Sequence, residues 1–247
     1  YVGGSYEIQH LGTSIENMTT QIRKLMDDIV AEHESKRKNE FDVLQSQINP
    51  HFLYNTLDII VWMIENEKQA DAVKVVTALA RFFRISLSRG KSIITVRDEL
   101  EHVRNYLMIQ HMRFKNRFTY EIQADEDVMD LASLKLILQP LVENALIHGL
   151  DLKHDRKQLT IEAYTSGSRL YMKVRDNGRG MTQEQIEELL KKKGKKTKGL
   201  TAVGIPNIQE RLKLYYGTQA KLTLESSGEG TEATIYLPVN RSGDEES

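Results

Sequence analysis

The sequence predicts an α-helical first half followed by an α+β second half. The first is a dimeric coiled coil and a helical hairpin, and the second is an α/β sandwich with helices on one face of a sheet. In several stretches before about residue 115, apolar residues recur at alternating three- and four-residue steps, the spacing of a helical stripe. Beyond Asn116, period-two alternation sets in between glycine turns, as in strands with one covered face. Further helical stretches interrupt those strands, so the second half mixes both element types.

Ile8, Leu11, Ile15, Met18, Ile22, Leu25 and Ile29 form an a/d seam that calls for a partner helix. The seam breaks over Ala31–Glu40 and resumes out of phase at Phe41, Leu44 and Ile48, which reads as a local change of supercoil. Pro50 removes a backbone donor and should kink or restart the helix. Helices are expected over about His51–Asn66 and Lys68–Ser88, the second with Val73, Val76, Ala80, Phe83 and Leu87 as its stripe. Their short connection makes them a hairpin. A third helix is expected over about Arg97–Lys115.

After Asn116, Phe118–Gln123 alternates like a strand, and Leu131–Gly149 reads as a helix ending near a glycine. Leu159–Thr165 and Arg169–Arg175 flank Ser166-Gly167-Ser168 as a hairpin. Helices follow over Thr182–Lys193 and Ile205–Tyr216, then strands over Lys221–Glu225 and Glu232–Leu237. The expected domains are 1–47 (coiled-coil linker), 48–116 (helical hairpin module), 117–240 (α/β domain) and 241–247 (polar tail).

Composition narrows function. The chain has 247 residues, one or two domains at about 150 residues each. At 40% hydrophobic and 28% charged it can bury a core. Its 34 Lys and Arg against 35 Asp and Glu give a net charge of −1, so a nucleic-acid partner held by a basic surface is excluded. With no cysteine there is no disulfide, cysteine–zinc site, iron–sulfur cluster or thiol nucleophile, which fits a reducing compartment. No apolar run approaches the roughly 18 residues of a membrane span and no signal peptide is read. A start at Tyr1 suggests the soluble part of something larger.

Candidate chemistry begins at His51. At 100° per residue, Leu53, Leu57, Ile60 and Ile64 share one stripe, expected to face the core. His51, Asn55, Asp58 and Trp62 fall on the opposite side. By position alone such a histidine is an ordinary surface residue. Support comes from Asp176-Asn177-Gly178-Arg179-Gly180 after a strand, where glycines let the backbone approach a ligand and the aspartate can accept from an amine. Glu143 and Asn144, with Ile147 and His148, sit in an apolar helix, where polar groups need a partner or a ligand. Gly204 stands before a helix start, a ready phosphate site, and Gly228–Thr231 makes a further turn.

Residues 139–238 resemble the ATP-binding (GHKL) domain shared by gyrase, Hsp90, MutL and histidine kinases. The boxes Glu143-Asn144, Asp176–Gly180, Val203-Gly204 and Gly228–Thr231 stand in the family's order. Ile48–Leu57 resembles the phosphoacceptor segment of LytS/YesM-type sensor histidine kinases, and Tyr106-Leu107, Arg113-Phe114 and Glu210-Arg211-Leu212 fit that family too. Glu7–Gly12 is similar to the start of the second helix of a HAMP module.

The resemblance implies a sensor histidine kinase of a two-component system, with ATP and Mg²⁺ as cofactors. His51 is then the phosphoacceptor, and Asn55 the place where related kinases orient water for phosphatase activity. Asn144 would hold Mg²⁺, Asp176 the adenine amino group, Gly178 and Gly180 the pocket's shape and Thr231 the adenine end. Gly204 and His148 would lie at the phosphates, with residues 181–203 as a lid. The implied partners are a second copy of the chain and the receiver domain of a response regulator. The implied location is the cytoplasmic side of a bacterial membrane, with an anchor N-terminal to this chain. Ala202 replaces a frequent family glycine, Pro206 suits a first helical turn, and Phe52 follows His51 where many kinases have an acid. The general base is then Asp58 or Glu143. Two rival classes are a nucleotide-gated scaffold with a degenerate kinase domain and a clamp-type ATPase using Glu143 as base.

Overall fold

The computed structural model describes residues 18, 50–87, 92–115, 117–149, 157–191 and 204–240. It divides into two units, Tyr1–Leu53 and Tyr54–Ser247. In the first unit Met18 is helical and exposed, and the helix α1 (Pro50–Glu65) begins; the rest of the expected coiled coil and HAMP segment lies outside the described residues.

The second unit starts within α1, which ends in a Schellman motif. Lys68 N–H donates to the Met63 carbonyl at 2.8 Å and Glu67 N–H to the Ile64 carbonyl at 3.2 Å. Glu67 occupies the left-handed region (φ +57°) that this cap requires. α2 (Gln69–Ser86) follows directly. β1 (Ile93–Thr95) leads into α3 (Val96–Arg113), whose N-cap Thr95 accepts from Asp98 N–H at 3.1 Å.

The stripes read from the sequence are not the buried ones. α1 buries Phe52, Thr56, Ile60 and Met63, leaving Leu57 and Ile64 exposed. α2 buries Ala72, Val75, Ala78, Phe82 and Ile85, and exposes Val73 and Val76; Leu87 at its C-cap is exposed too. Both helices are apolar on two sides, so spacing alone does not say which side their own chain covers. α2 packs on α3 through its buried side.

The remaining elements are β2 (Thr119–Ala124), β3 (Ala132–Leu134), α4 (Leu138–Asn144), β4 (Gln158–Ser166), β5 (Arg169–Asp176), α5 (Gln183–Lys191), α6 (Gly204–Tyr216), β6 (Lys221–Ser227) and β7 (Gly230–Pro238). The continuous helix expected over Leu131–Gly149 is therefore corrected. It splits into β3, paired antiparallel with β1, then α4, then a π-helical turn Ala145–Gly149. The five-stranded sheet runs β2-β4-β5-β7-β6, parallel between β2 and β4 and antiparallel elsewhere.

Period-two alternation sets the sheet's inner face. Leu159, Ile161 and Ala163 of β4, Leu170, Met172 and Val174 of β5, and Ala233, Ile235 and Leu237 of β7 are all buried. α4 packs on β5, α6 packs on β6 and on α4, and α3 packs on α4 and β2. The outer face carries Tyr164 stacked on Tyr171, with ring centroids 5.2 Å apart, and Lys173 bonded to Glu232 at 3.0 Å. Gly167 (φ +61°) closes the β4–β5 hairpin. Thr182 and Gln185 form a capping box at the start of α5, each side chain accepting from the other's N–H. Among the described residues no helix is long and apolar enough to cross a membrane.

Candidate functional site

The strand alternation that buries Leu170, Met172 and Val174 carries the next inward position to Asp176, at the end of β5. An acid there closes an apolar row and is only 5% exposed. Burial pushes its carboxyl above the usual carboxylate range, while hydrogen bonds from the Gly178 and Thr231 N–H groups pull it back. Gly178 N–H donates to Asp176 Oδ1 at 2.9 Å, which fixes the carboxylate's direction. Asn177 ties the same turn to β4 by accepting from Gln158 N–H at 2.8 Å.

Two glycines make this corner possible. Gly180 has φ +68°, and a Cβ on it would lie 1.7 Å from the Ser227 carbonyl oxygen. Gly230 has φ +135°, and a Cβ there would lie 2.0 Å from the Asp176 carbonyl oxygen. Only glycine fits at either position. Thr231 faces Asp176 across the β5–β7 ladder and is buried as well.

Ser226 links the parts and was not singled out from the sequence. Its hydroxyl accepts Met181 N–H at 2.7 Å and donates to the Gly230 carbonyl at 3.0 Å. With its one proton spent there, it must accept from Thr231 Oγ1, 2.9 Å away. The structure thus brings Asp176, Gly178, Gly180 and Thr231 into one cradle. It has a buried acceptor and a closely approached backbone, which suits a planar ligand with an exocyclic amine.

The remaining expected site residues lie on or beside helices. Asn144 is the last residue of α4, half-buried, and the turn that follows packs against β5 and β7. His148 lies within that turn. Gly204 opens α6, and a Cβ there would meet Pro140 Cβ at 2.8 Å, so the two helices touch only because the residue is glycine. Pro206 falls in the first turn of α6, as expected, whereas Ala202 and Val203 lie outside the described residues. Of the expected lid, α5 is described and 192–203 are not.

Glu143 accepts from Gln139 Nε2 at 2.8 Å, and burial raises its carboxyl above the ordinary range. Burial, and secondarily the Glu143 charge, push the Tyr106 phenol on α3 above its ordinary range. Tyr106 in turn accepts from Gln110 Nε2 at 2.9 Å.

On α1, His51 and Asp58 are exposed and Asn55 is half-buried, the same face the helical angles give. Phe52 is buried, so this helix side could not have taken an acid without loss. Among the described residues no group of three or more His, Cys, Asp or Glu is arranged to hold a metal ion. A cation at Asn144 would therefore have to share its ligation with phosphate oxygens and water, which is how Mg²⁺ usually binds.

Family models match in tandem. Residues 39–118 match "Histidine kinase", and residues 129–241 match "Histidine kinase-, DNA gyrase B-, and HSP90-like ATPase". Sensor histidine kinase YesM of Bacillus subtilis is 34% identical over 222 residues, which are 90% of this chain and 37% of that protein. Sensor protein LytS of Bacillus cereus is 32% identical over 209 residues, 84% of this chain and 35% of that protein. The chain spans about a third of the length of the curated relatives it matches. A solved histidine kinase domain from Erythrobacter litoralis EL346 aligns with a TM-score of 0.47 at 19% identity, covering 80% of this chain and 92% of that one. With an ordered set of glycine boxes, a buried aspartate and both matches in sequence, the chain belongs to the sensor histidine kinases of the LytS and YesM type.

Proposed function

We propose that this chain is the ATP-dependent, autophosphorylating part of a two-component sensor kinase, with His51 as phosphoacceptor. The observation that carries it is the glycine-closed cradle around Asp176. Its carboxylate is aimed by Gly178 and walled by Gly180 and Gly230, at positions where any Cβ would collide with backbone. Asp176 accepts the adenine amino group, and Thr231 and Ser226 hold that end of the pocket. Asn144, His148 and the start of α6 at Gly204 receive the phosphates. Mg²⁺, when bound at Asn144, screens the phosphate charge.

The chain's own work is positioning, since phosphoryl transfer needs little covalent help. An unprotonated ring nitrogen of His51 attacks the γ-phosphorus. The N–P bond forms as the bond to the β–γ bridging oxygen breaks, ADP leaves, and the ring proton passes to a base. Asp58 and Glu143 are the two candidates for that base. The phosphoryl group then moves to an aspartate on a response regulator, and Asn55 orients water for the separate phosphatase reaction, hydrolysis of that aspartyl phosphate to free phosphate. The exposed apolar sides of α1 and α2 support a homodimer. The parent protein is read as anchored in a bacterial cell membrane through a segment before this chain, with this part in the cytoplasm.

Incubation with γ-labelled ATP and Mg²⁺ tests the proposal. Acid-labile, alkali-stable label on the chain is expected. Free phosphate alone would instead mark a clamp-type ATPase, and neither product a nucleotide-gated scaffold.

A further inference from the structure

We infer that Glu99 and Arg211 are positioning residues for the phosphate end of the nucleotide pocket, clamping the loop between β3 and α4 from two sides. The inference rests on the nucleotide-binding reading above. Glu99 lies on α3 and is fully buried. Its carboxylate accepts three successive backbone N–H groups: Leu136 on Oε2 at 2.8 Å, and Ile137 and Leu138 on Oε1 at 2.7 and 2.8 Å. A buried carboxylate is tolerated only with such partners, and removing it would leave three donors unsatisfied.

Arg211 works from the opposite side. Its guanidinium reaches from α6 and donates to the carbonyls of Lys135 and Leu136, the latter at 3.4 Å. Between the two charges Leu136 sits at φ +58°, a left-handed conformation that an L side chain rarely adopts. One loop thus has its N–H groups turned to an acid on one helix and its carbonyls to a guanidinium on another.

Everything this clamp fixes lies at one end of the pocket. Leu138, held by Glu99, opens α4, and Asn144 closes it. Pro140 in the same helix seats Gly204, and Arg211 lies two turns further along α6. The adenine cradle is built instead from the ends of β5, β6 and β7 through Asp176, Ser226, Gly230 and Thr231, and uses neither Glu99 nor Arg211. Loosening the clamp should therefore shift Asn144 and Gly204 against the phosphates and leave the adenine contacts in place.

The test is calorimetry and NMR titration on the full chain with two ligands, adenosine and a non-hydrolysable Mg-ATP analogue. Glu99→Gln keeps the side chain's size but turns an NH₂ toward one of the three donors, and Arg211→Lys loses the fork that spans two carbonyls. Each variant is expected to bind the triphosphate analogue at least about tenfold more weakly while adenosine affinity changes less than about twofold. Equal losses for both ligands would mean that the two residues only hold the fold together, and unchanged triphosphate affinity would mean that the clamp positions nothing; either result overturns the inference. Arg211→Lys supplies the reading if Glu99→Gln loses its circular dichroism signal. Asp176→Ala, run alongside, tests the pocket itself: if it keeps adenosine affinity, the adenine assignment fails, while the ratio for Glu99→Gln still judges the clamp.

Discussion

The helices α1 and α2 and the sheet β2-β4-β5-β7-β6 handle their apolar residues in opposite ways. The sheet buries the centre of its inner face: Leu159, Ile161, Leu170, Met172, Ile235 and Leu237 have no accessible surface left. α1 exposes Leu57, Val61, Trp62 and Ile64, and α2 exposes Val73 and Val76, with Leu87 exposed at its C-cap. A catalytic domain can finish its core within one chain. A pair of helices with two apolar sides each cannot, and a second copy is the simplest cover for the remaining sides. The sheet thus closes its own core, while α1 and α2 leave an apolar side uncovered, which fits the homodimer proposed above.

The largest expected effect separates these two parts by activity. His51→Gln should abolish autophosphorylation while changing ATP affinity by no more than about threefold, because the proposed nucleophile lies on α1 and the proposed pocket in the sheet domain. A γ-labelling assay beside a binding isotherm measures both. Persistent acid-labile label would point to another histidine. His102 is a poor substitute, being wholly buried with its Nε2 2.8 Å from Ser86 Oγ.

Next come changes confined to the sheet domain. Gly180→Ala adds a methyl where the Ser227 carbonyl already stands 1.7 Å away, at a φ of +68°. Nucleotide binding should fall by about a hundredfold or more, in line with a severe backbone conflict. Asp176→Ala should weaken binding about five- to a hundredfold, the usual consequence of removing one buried hydrogen-bond partner. Asn144→Ala should show its loss only when Mg²⁺ is present. Calorimetry with and without EDTA distinguishes the two; equal losses in EDTA would contradict their separate roles.

The comparison itself is tested by Val73→Asp with Val76→Asp. Each places a charge on the exposed side of α2 and none touches the sheet. Self-association should weaken at least about tenfold in sedimentation equilibrium, with nucleotide affinity unchanged. A double variant that still associates normally would show that this side is not the dimer face.

How far the sequence foretold these parts follows the same division. The strands were legible because one face of each is buried, so period two survives, and the turns at Gly167 and Gly228–Gly230 punctuate them. Asp176 was legible because an acid ends an apolar row before two glycines. The burial of α1 and α2 was misjudged because both sides of each helix are apolar. In α1 the sides Leu53–Leu57–Ile60–Ile64 and Phe52–Thr56–Ile60–Met63 share a residue, and only tertiary packing selects between them. The segment 131–149 was read as one helix because what breaks it is not local. Leu136 is held in its left-handed conformation by Glu99, 37 residues earlier, and Arg211, 75 residues later. One cue was present: Glu99 falls between Val96 and Val103 on an apolar stripe, where an acid needs a dedicated partner. Ser226 gave no cue, since a serine near a glycine turn is ordinary.

The smallest predicted effect asks whether the inward side of α2 is as closed as the sheet. His102 on α3 stacks on Phe82 of α2 with ring centroids 4.3 Å apart. Ser86 donates its only proton to the Phe82 carbonyl, so His102 Nε2–H donates to Ser86 Oγ. Burial, and secondarily the Lys135 charge, push its pKa from 6.5 down to about 3. An unfolded chain takes up that proton near pH 6.5, whereas the folded chain refuses it until about pH 3. The stability from neutral His102 is therefore complete above pH 6.5 and is lost as pH falls from 6.5 toward 3, at up to about 1.4 kcal/mol per pH unit. His102→Phe removes this titration while keeping a ring against Phe82. Urea denaturation at pH 7.5 and 5.5 should show the parent chain losing about 1 kcal/mol more than the variant between the two pH values. Contributions from the other histidines are common to both proteins and cancel. If both lose the same amount, His102 accepts a proton in the folded state without penalty, and the α2–α3 interface is open to water in a way the sheet core is not.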